Sequence, residues 1–178
     1  MVDPGLNIDD ESLLHLAIRL PIDDLLNLCQ TNIRMSRFCR TDRLWLTRLS
    51  RDFPGINYHE VSDTAVHAYI ALYAAENLID GVAHITVKRP GAHLVIDDIP
   101  PYRKPSPNVI VQVKIKEGLV ENYRTFLENH PPASEQRRGM PIEASFVVNR
   151  NLLDVAEFVV DVIETMGFNY TDMSIYIR

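Results

Sequence analysis

Apolar residues repeat with two different periods along this chain. Up to about residue 58 they recur every three to four positions, the spacing of amphipathic helices. Asp9 or Asp10 caps a first helix, with Glu11 and Ser12 in its first turn and Leu13, Leu14, Ala17 and Ile18 as its stripe. Pro21 interrupts it and makes Leu20 its expected end. Asp23 and Asp24 restart a helix in which Leu25, Leu28 and Cys29 share a face, and Asn32 is its expected stop. Met35, Phe38 and Cys39 form a third short stripe, and Thr41-Asp42 cap a fourth helix carrying Trp45, Leu49 and Phe53. Helices of two to three turns do not persist alone in water, so these four must bury their stripes on one another or on a partner.

A longer helix follows, capped by Ser62 or Asp63, with Val66, Ile70 and Tyr73 on one face and Tyr69 and Leu72 beside it. It ends near Asp80-Gly81 and is placed to pack on both halves of the chain. Beyond Gly81 the period changes to two. The segments HITVK and HLVID, either side of Pro90-Gly91, read as a hairpin. Residues 98 to 107 contain four prolines and read as an extended loop around Tyr102, Arg103 and Lys104. Val109, Val111, Val113 and Ile115 alternate as a half-buried strand, and Leu119, Tyr123, Phe126 and Leu127 mark a helix. The stretch from His130 to Pro141, with Glu135, Arg137 and Arg138, reads as a mobile loop. Ile142, Ala144, Phe146 and Val148 alternate again, Leu152 to Met166 is a long helix capped by Gly167, and Met173, Ile175 and Ile177 close the pattern as a last strand. The fold class expected is therefore α+β. A short-helix cluster (residues 1–58) precedes a small α/β sandwich (residues 59–178) with a strand-helix-strand-helix-strand core. Helical crossovers of this length usually join parallel neighbours.

Composition narrows the function by exclusion. A net charge of -6 disfavours a general nucleic-acid or membrane-surface binder. No apolar run approaches a membrane span, and the acidic start MVDPGLNIDDE differs from a signal peptide. Cys29 and Cys39 fall inside helical patterns, where reduced, buried thiols in a cytoplasmic or nuclear compartment are the simplest expectation. Seven glycines form neither a phosphate loop nor a nucleophile elbow. His84 and His93 could face each other across the hairpin with Asp97 or Asp98 near, but half-exposed strand residues are the simpler account. Paired carboxylates such as Asp154 with Glu157 and Asp161 with Glu164 read as the solvated side of a helix. No catalytic residue, cofactor or metal is assigned. Arg34, Arg37, Arg40 and Arg43 recur every three residues, with Arg48 and Arg51 beyond. Such a stripe could enter a DNA groove, but a solvated face with arginines lying along apolar surface is the simpler account, and Asp42 and Asp52 among the arginines could pair with them.

Leu20-Pro21, Asp24-Leu25 and Leu44-Trp45, with Glu11 as an early acidic residue, align in one register without a gap. In that spacing residues 8 to 54 resemble an F-box, and are similar to the F-box-like proteins encoded by large DNA viruses of amoebae. The resemblance covers about a quarter of the chain. It implies a non-catalytic adaptor that docks on a Skp1-like protein and brings a target, held by the C-terminal unit, to a cullin-type ubiquitin ligase. It places partner contacts at Ile8, Leu16, Leu20, Pro21, Leu25, Thr31 and Met35, with Leu20, Pro21 and Leu25 on an apolar face left open. The pattern departs from the family at Ile8-Asp9 for the first Leu-Pro, Thr31 for valine and Met35 for tryptophan. Those departures favour a second possibility, a structural or virion-associated protein that keeps the helical fold, does not bind Skp1 and self-associates as a homo-oligomer. The implied location is the cytoplasm or nucleus, of a host cell if the chain is viral, or the virion.

Overall fold

A computed structural model of the chain describes residues 8–80, 83–89, 92–99, 107–115, 118–136, 139, 141–167 and 173–177. Four short helices come first: α1 (Asp10–Ala17), α2 (Ile22–Cys29), α3 (Ile33–Cys39) and α4 (Asp42–Asp52). Asp9 caps α1, accepting a hydrogen bond from the Ser12 backbone N–H at 2.7 Å. Asn32 is not a stop for α2 but the cap of α3, accepting from the Met35 N–H at 2.9 Å. A 3-10 turn at Tyr58–Glu60 leads to α5 (Ala65–Ile79). Thr64 is the N-cap residue of α5, and Ser62 Oγ accepts from the Thr64 N–H at 3.1 Å. The remaining elements are β1 (Ala83–Arg89), β2 (Ala92–Ile99), β3 (Asn108–Ile115), α6 (Val120–Asn129), β4 (Ser134–Gln136), β5 (Ile142–Asn149), α7 (Leu152–Met166) and β6 (Met173–Ile177).

The strands form one sheet in the order β4-β5-β3-β2-β1-β6, and every neighbouring pair is antiparallel. The expectation of parallel neighbours is corrected here, for a topological reason. The units β3-α6-β4 and β5-α7-β6 do join strands that run in the same direction. β5 lies between the first pair, and β3, β2 and β1 lie between the second, so neither pair forms a parallel ladder. A second correction concerns residues 130 to 141. Within that stretch Ser134–Gln136 pairs with Glu143–Ser145 as an edge strand rather than forming a loop throughout.

The period-two pattern sets the two faces of the sheet. Val109, Val111, Val113 and Ile115 are fully buried, and their partners Phe146, Ala144 and Ile142 are buried with them. On the other face the paired residues Ile110 and Val147 are 39% and 54% exposed. Helix α7 packs on β5 and α5 on β1, and the two helices lie against each other. Helix α5 is buried nearly all round, with Ala65, Ala68, Ala71, Ala74 and Ala75 allowing close approach and Tyr69, Ile70, Leu72 and Leu78 filling space. Its other side meets α4. The apolar core thus runs without a break from α1 through α5 into the sheet. The change of pattern at residue 58 coincides with the 3-10 turn, yet the two segments share that core.

Cys29 and Cys39 are joined as a disulfide, which corrects the expectation of reduced thiols. They are the last residues of α2 and α3, and both are fully buried. The link ties together two helices too short to hold each other by packing alone.

Candidate functional site

Leu16, Leu20, Pro21 and Leu25 lie at or beside the corner between α1 and α2, and α4 holds that corner in place. Arg48 of α4 is 2% exposed. Its Nη1 donates to the carbonyls of Ala17 at 3.0 Å and Leu20 at 2.8 Å, and its Nη2 donates to the Tyr69 hydroxyl at 2.8 Å. Arg51 donates to the Ile18 carbonyl. These are carbonyls at the C-terminal end of α1, groups the helix itself cannot satisfy. Two cations there also complement the negative end of the helix dipole.

Asp52 balances the charge. It accepts from Arg51 Nε at 2.5 Å and Nη2 at 2.8 Å, and from the Tyr69 hydroxyl at 2.8 Å. Arg48 Nε lies 3.9 Å from its Oδ2, an ion pair rather than a hydrogen bond, so that buried Nε has no hydrogen-bond partner among the described residues. Burial pushes the Asp52 carboxyl up, but the hydrogen bonds from Arg51 and Tyr69 outweigh it and hold the group below the usual aspartate range. Burial pushes the Tyr69 phenol well above its ordinary range, which keeps the hydroxyl protonated as a donor to Asp52. The network floors an open cleft of about 570 Å3, whose walls include Leu20, Pro21, Phe53 and Tyr73.

Leu16 is 49% exposed and Pro21 is exposed, while Leu20 is half-buried against the core. Ile8 is half-buried, and its carbonyl accepts from Arg34. Thr31 is exposed and donates its hydroxyl to the Leu28 carbonyl at 2.8 Å. Leu25 and Met35 are core residues, 0% and 7% exposed. The open face expected at Leu20, Pro21 and Leu25 is therefore corrected. Leu25 falls at helical spacing with Ile22, Leu26 and Cys29, all buried, and so points inward while Pro21 stays out.

The arginine stripe divides into two sets. Arg34 bonds the Ile8 carbonyl and approaches Asp10 at 3.4 Å, and Arg43 pairs with Glu11 at 2.6 Å, so α3 and α4 both grip α1. With Arg48 and Arg51 this makes four arginines used internally, which leaves little of the stripe for a DNA groove. Only Arg37 and Arg40 lack such a role among the described residues.

The other sequence candidates do not assemble. In the hairpin register His84 is opposite Asp97 and His93 is opposite Lys88, so the two histidines are not cross-strand partners. Their side chains, with Tyr102, Arg103, Lys104, Arg137 and Arg138, lie outside the described residues. Glu135 accepts from the Tyr123 hydroxyl at 2.9 Å. Asp161 pairs with His130 at 2.7 Å and Glu164 with His67 at 3.1 Å. Among the described residues no helix is long and apolar enough to cross a membrane. Beyond the pairing of Asp52 with the arginines around it, the buried Arg48 network is not visible in the sequence. Its one signal was the i, i+4 spacing of Arg48 and Asp52 inside an apolar stripe.

No protein-family model matches this chain, and no curated protein matches it significantly.

Proposed function

We propose that the helical cluster is a docking module for a Skp1-like protein and that the sheet-and-helix unit carries the target. The observation behind this reading is the α1–α2 corner. Leu16 and Pro21 are exposed beside a Leu20 backbone pinned by Arg48, a rigid presentation of apolar side chains that normally marks an interaction surface. The test uses purified wild-type protein and Leu16→Asp. Wild type should retain purified Skp1 at micromolar concentration with little dependence on salt, because the contact is apolar. Leu16→Asp should lose capture while its circular dichroism stays unchanged, since Leu16 is outside the core. A wild-type protein that captures no Skp1 overturns the adaptor reading.

A second reading has its own support. The Cys29–Cys39 disulfide is of a kind that is rare in the reducing cytosol and persists in oxidising settings such as particle surfaces. It favours a structural or virion-associated protein over a ligase adaptor. Protein isolated without reductant and denatured should then show no free thiol. Reduction should lower stability by about 2–4 kcal/mol, the usual contribution of a bridge closing a short loop. Two titratable thiols and an unchanged melting curve would refute this reading.

A further inference from the structure

Within the arginine stripe of α3 and α4, Arg37 and Arg40 differ from Arg34, Arg43, Arg48 and Arg51 in pairing with no carboxylate among the described residues. With Ile33, which is 73% exposed, they occupy positions i, i+4 and i+7 of one helical stretch. Positions so spaced share a face, giving an apolar knob and two cations along about 10 Å of surface. All three line one shallow groove together with Gln30, Asn32 and Ser36.

A complementary surface lies on α7. Asp154, Glu157 and Asp161 follow one another at i, i+3 and i+7, on the rim of a cavity of about 330 Å3 whose walls include Phe146, Phe158 and Val147. Negative charge is in excess here. Asp154 is bonded by the neutral amides of Asn149 and Asn151, and Asp161 by His130. Glu157 has no partner among the described residues. Burial, then the charges of Asp154, Asp161 and Glu60, push its carboxyl up.

We propose that the α3 face of one molecule docks on the α7 face of a second copy, with Ile33 entering the Phe146–Phe158 cavity and Arg37 and Arg40 pairing with the rim carboxylates. The two faces agree in length, in opposite charge and in knob against cavity. They are different patches of one chain, so the contact is head-to-tail and grows into a ring or a filament according to the rotation between copies. The inference deepens the structural-protein reading and does not depend on Skp1.

Sedimentation velocity on the full chain, from low to high micromolar concentration, tests it. Wild type should associate at low salt and weaken about tenfold or more at about 1 M salt, where the screening length falls to about 3 Å. The double variants Arg37→Glu/Arg40→Glu and Glu60→Arg/Glu157→Arg, the latter including the exposed Glu60 whose charge acts on Glu157, change side chains without hydrogen-bond or ion-pair partners among the described residues and should each sediment as monomers. An equimolar mixture of the two should associate again, because each now offers a face complementary to the other. A wild-type chain that stays monomeric at low salt overturns the proposal. So do variants that associate like wild type, or a mixture that does not recover. If a charge variant loses its circular dichroism, Ile33→Ser removes the knob alone, and association undiminished by it is equally fatal. Skp1 capture is read separately, so the loss of one reading is not mistaken for the loss of the other.

Discussion

Arg48→Met should cost about 3–5 kcal/mol of folding stability, the range seen when one member of a buried, hydrogen-bonded charge cluster is removed. Methionine keeps the apolar stem of the side chain as far as the arginine Nε, so the loss measured is that of the guanidinium group and its hydrogen bonds, with the small space it filled. The Ala17 and Leu20 carbonyls lose their donor, and the buried Tyr69 hydroxyl loses one too. Each buried group left unpaired costs about 1–3 kcal/mol. Urea melts of Arg48→Met, Tyr69→Phe and the double variant should be non-additive by roughly 0.5–3 kcal/mol, because the two side chains belong to one network. The acid limb of stability should survive in Arg48→Met. The Asp52 contribution is complete above the ordinary aspartate range and is lost as pH falls through its lowered value. Arg51 and Tyr69, not Arg48, supply most of that lowering. A variant melting within about 0.5 kcal/mol of wild type would mean that Arg48 does not secure the α1–α2 corner.

What the sequence made legible was whatever depends on near neighbours along the chain. Asp9 as a cap, the break at Pro21, the αL cap at Gly167 and the burial of alternate residues from Val109 to Ile115 all follow from local spacing. What stayed hidden depends on partners far apart. The antiparallel order of the sheet could not be read because a helix of given length says nothing about how many strands it passes over. Ser134–Gln136 is short and polar, and becomes a strand only because β5 offers it an edge. The disulfide required knowing that α2 and α3 end side by side. Within the candidate site, the break at Leu20-Pro21 is legible from the proline, whereas the open face expected at Leu20, Pro21 and Leu25 is not what the core allows. The helix that begins at Pro21 turns Leu25 toward Ile22 and Cys29, a rotation fixed by the core and not by the Asp-Leu spacing. In the sequence Arg48 is one member of an arginine stripe with Asp52 within pairing distance along the chain, and its burial is visible only once the helix end that needs its donors is in place.

Trp45→Ala should be the most damaging apolar substitution in the helical cluster, at about 3–5 kcal/mol. Trp45 is the chain's one tryptophan and is 1% exposed. Its ring lies 5.5 Å from that of Tyr69, which links the cluster to α5, and its indole N–H donates to the Cys39 carbonyl at 2.7 Å. Alanine would open a cavity at the junction of α4 and α5 and leave the carbonyl at the disulfide-linked end of α3 without that donor. Trp45→Phe separates the two effects, since it keeps most of the ring volume but has no N–H. It should cost less than alanine, with about 1 kcal/mol of its loss assigned to the hydrogen bond. Far-UV circular dichroism must follow the urea titrations, because both variants lack the fluorophore. Should Trp45→Ala melt like wild type, the residue would not be core, and the continuity of packing between the short helices and α5 would have to be abandoned. Should alanine and phenylalanine cost the same, the indole N–H rather than ring volume would be what joins α3 to α4.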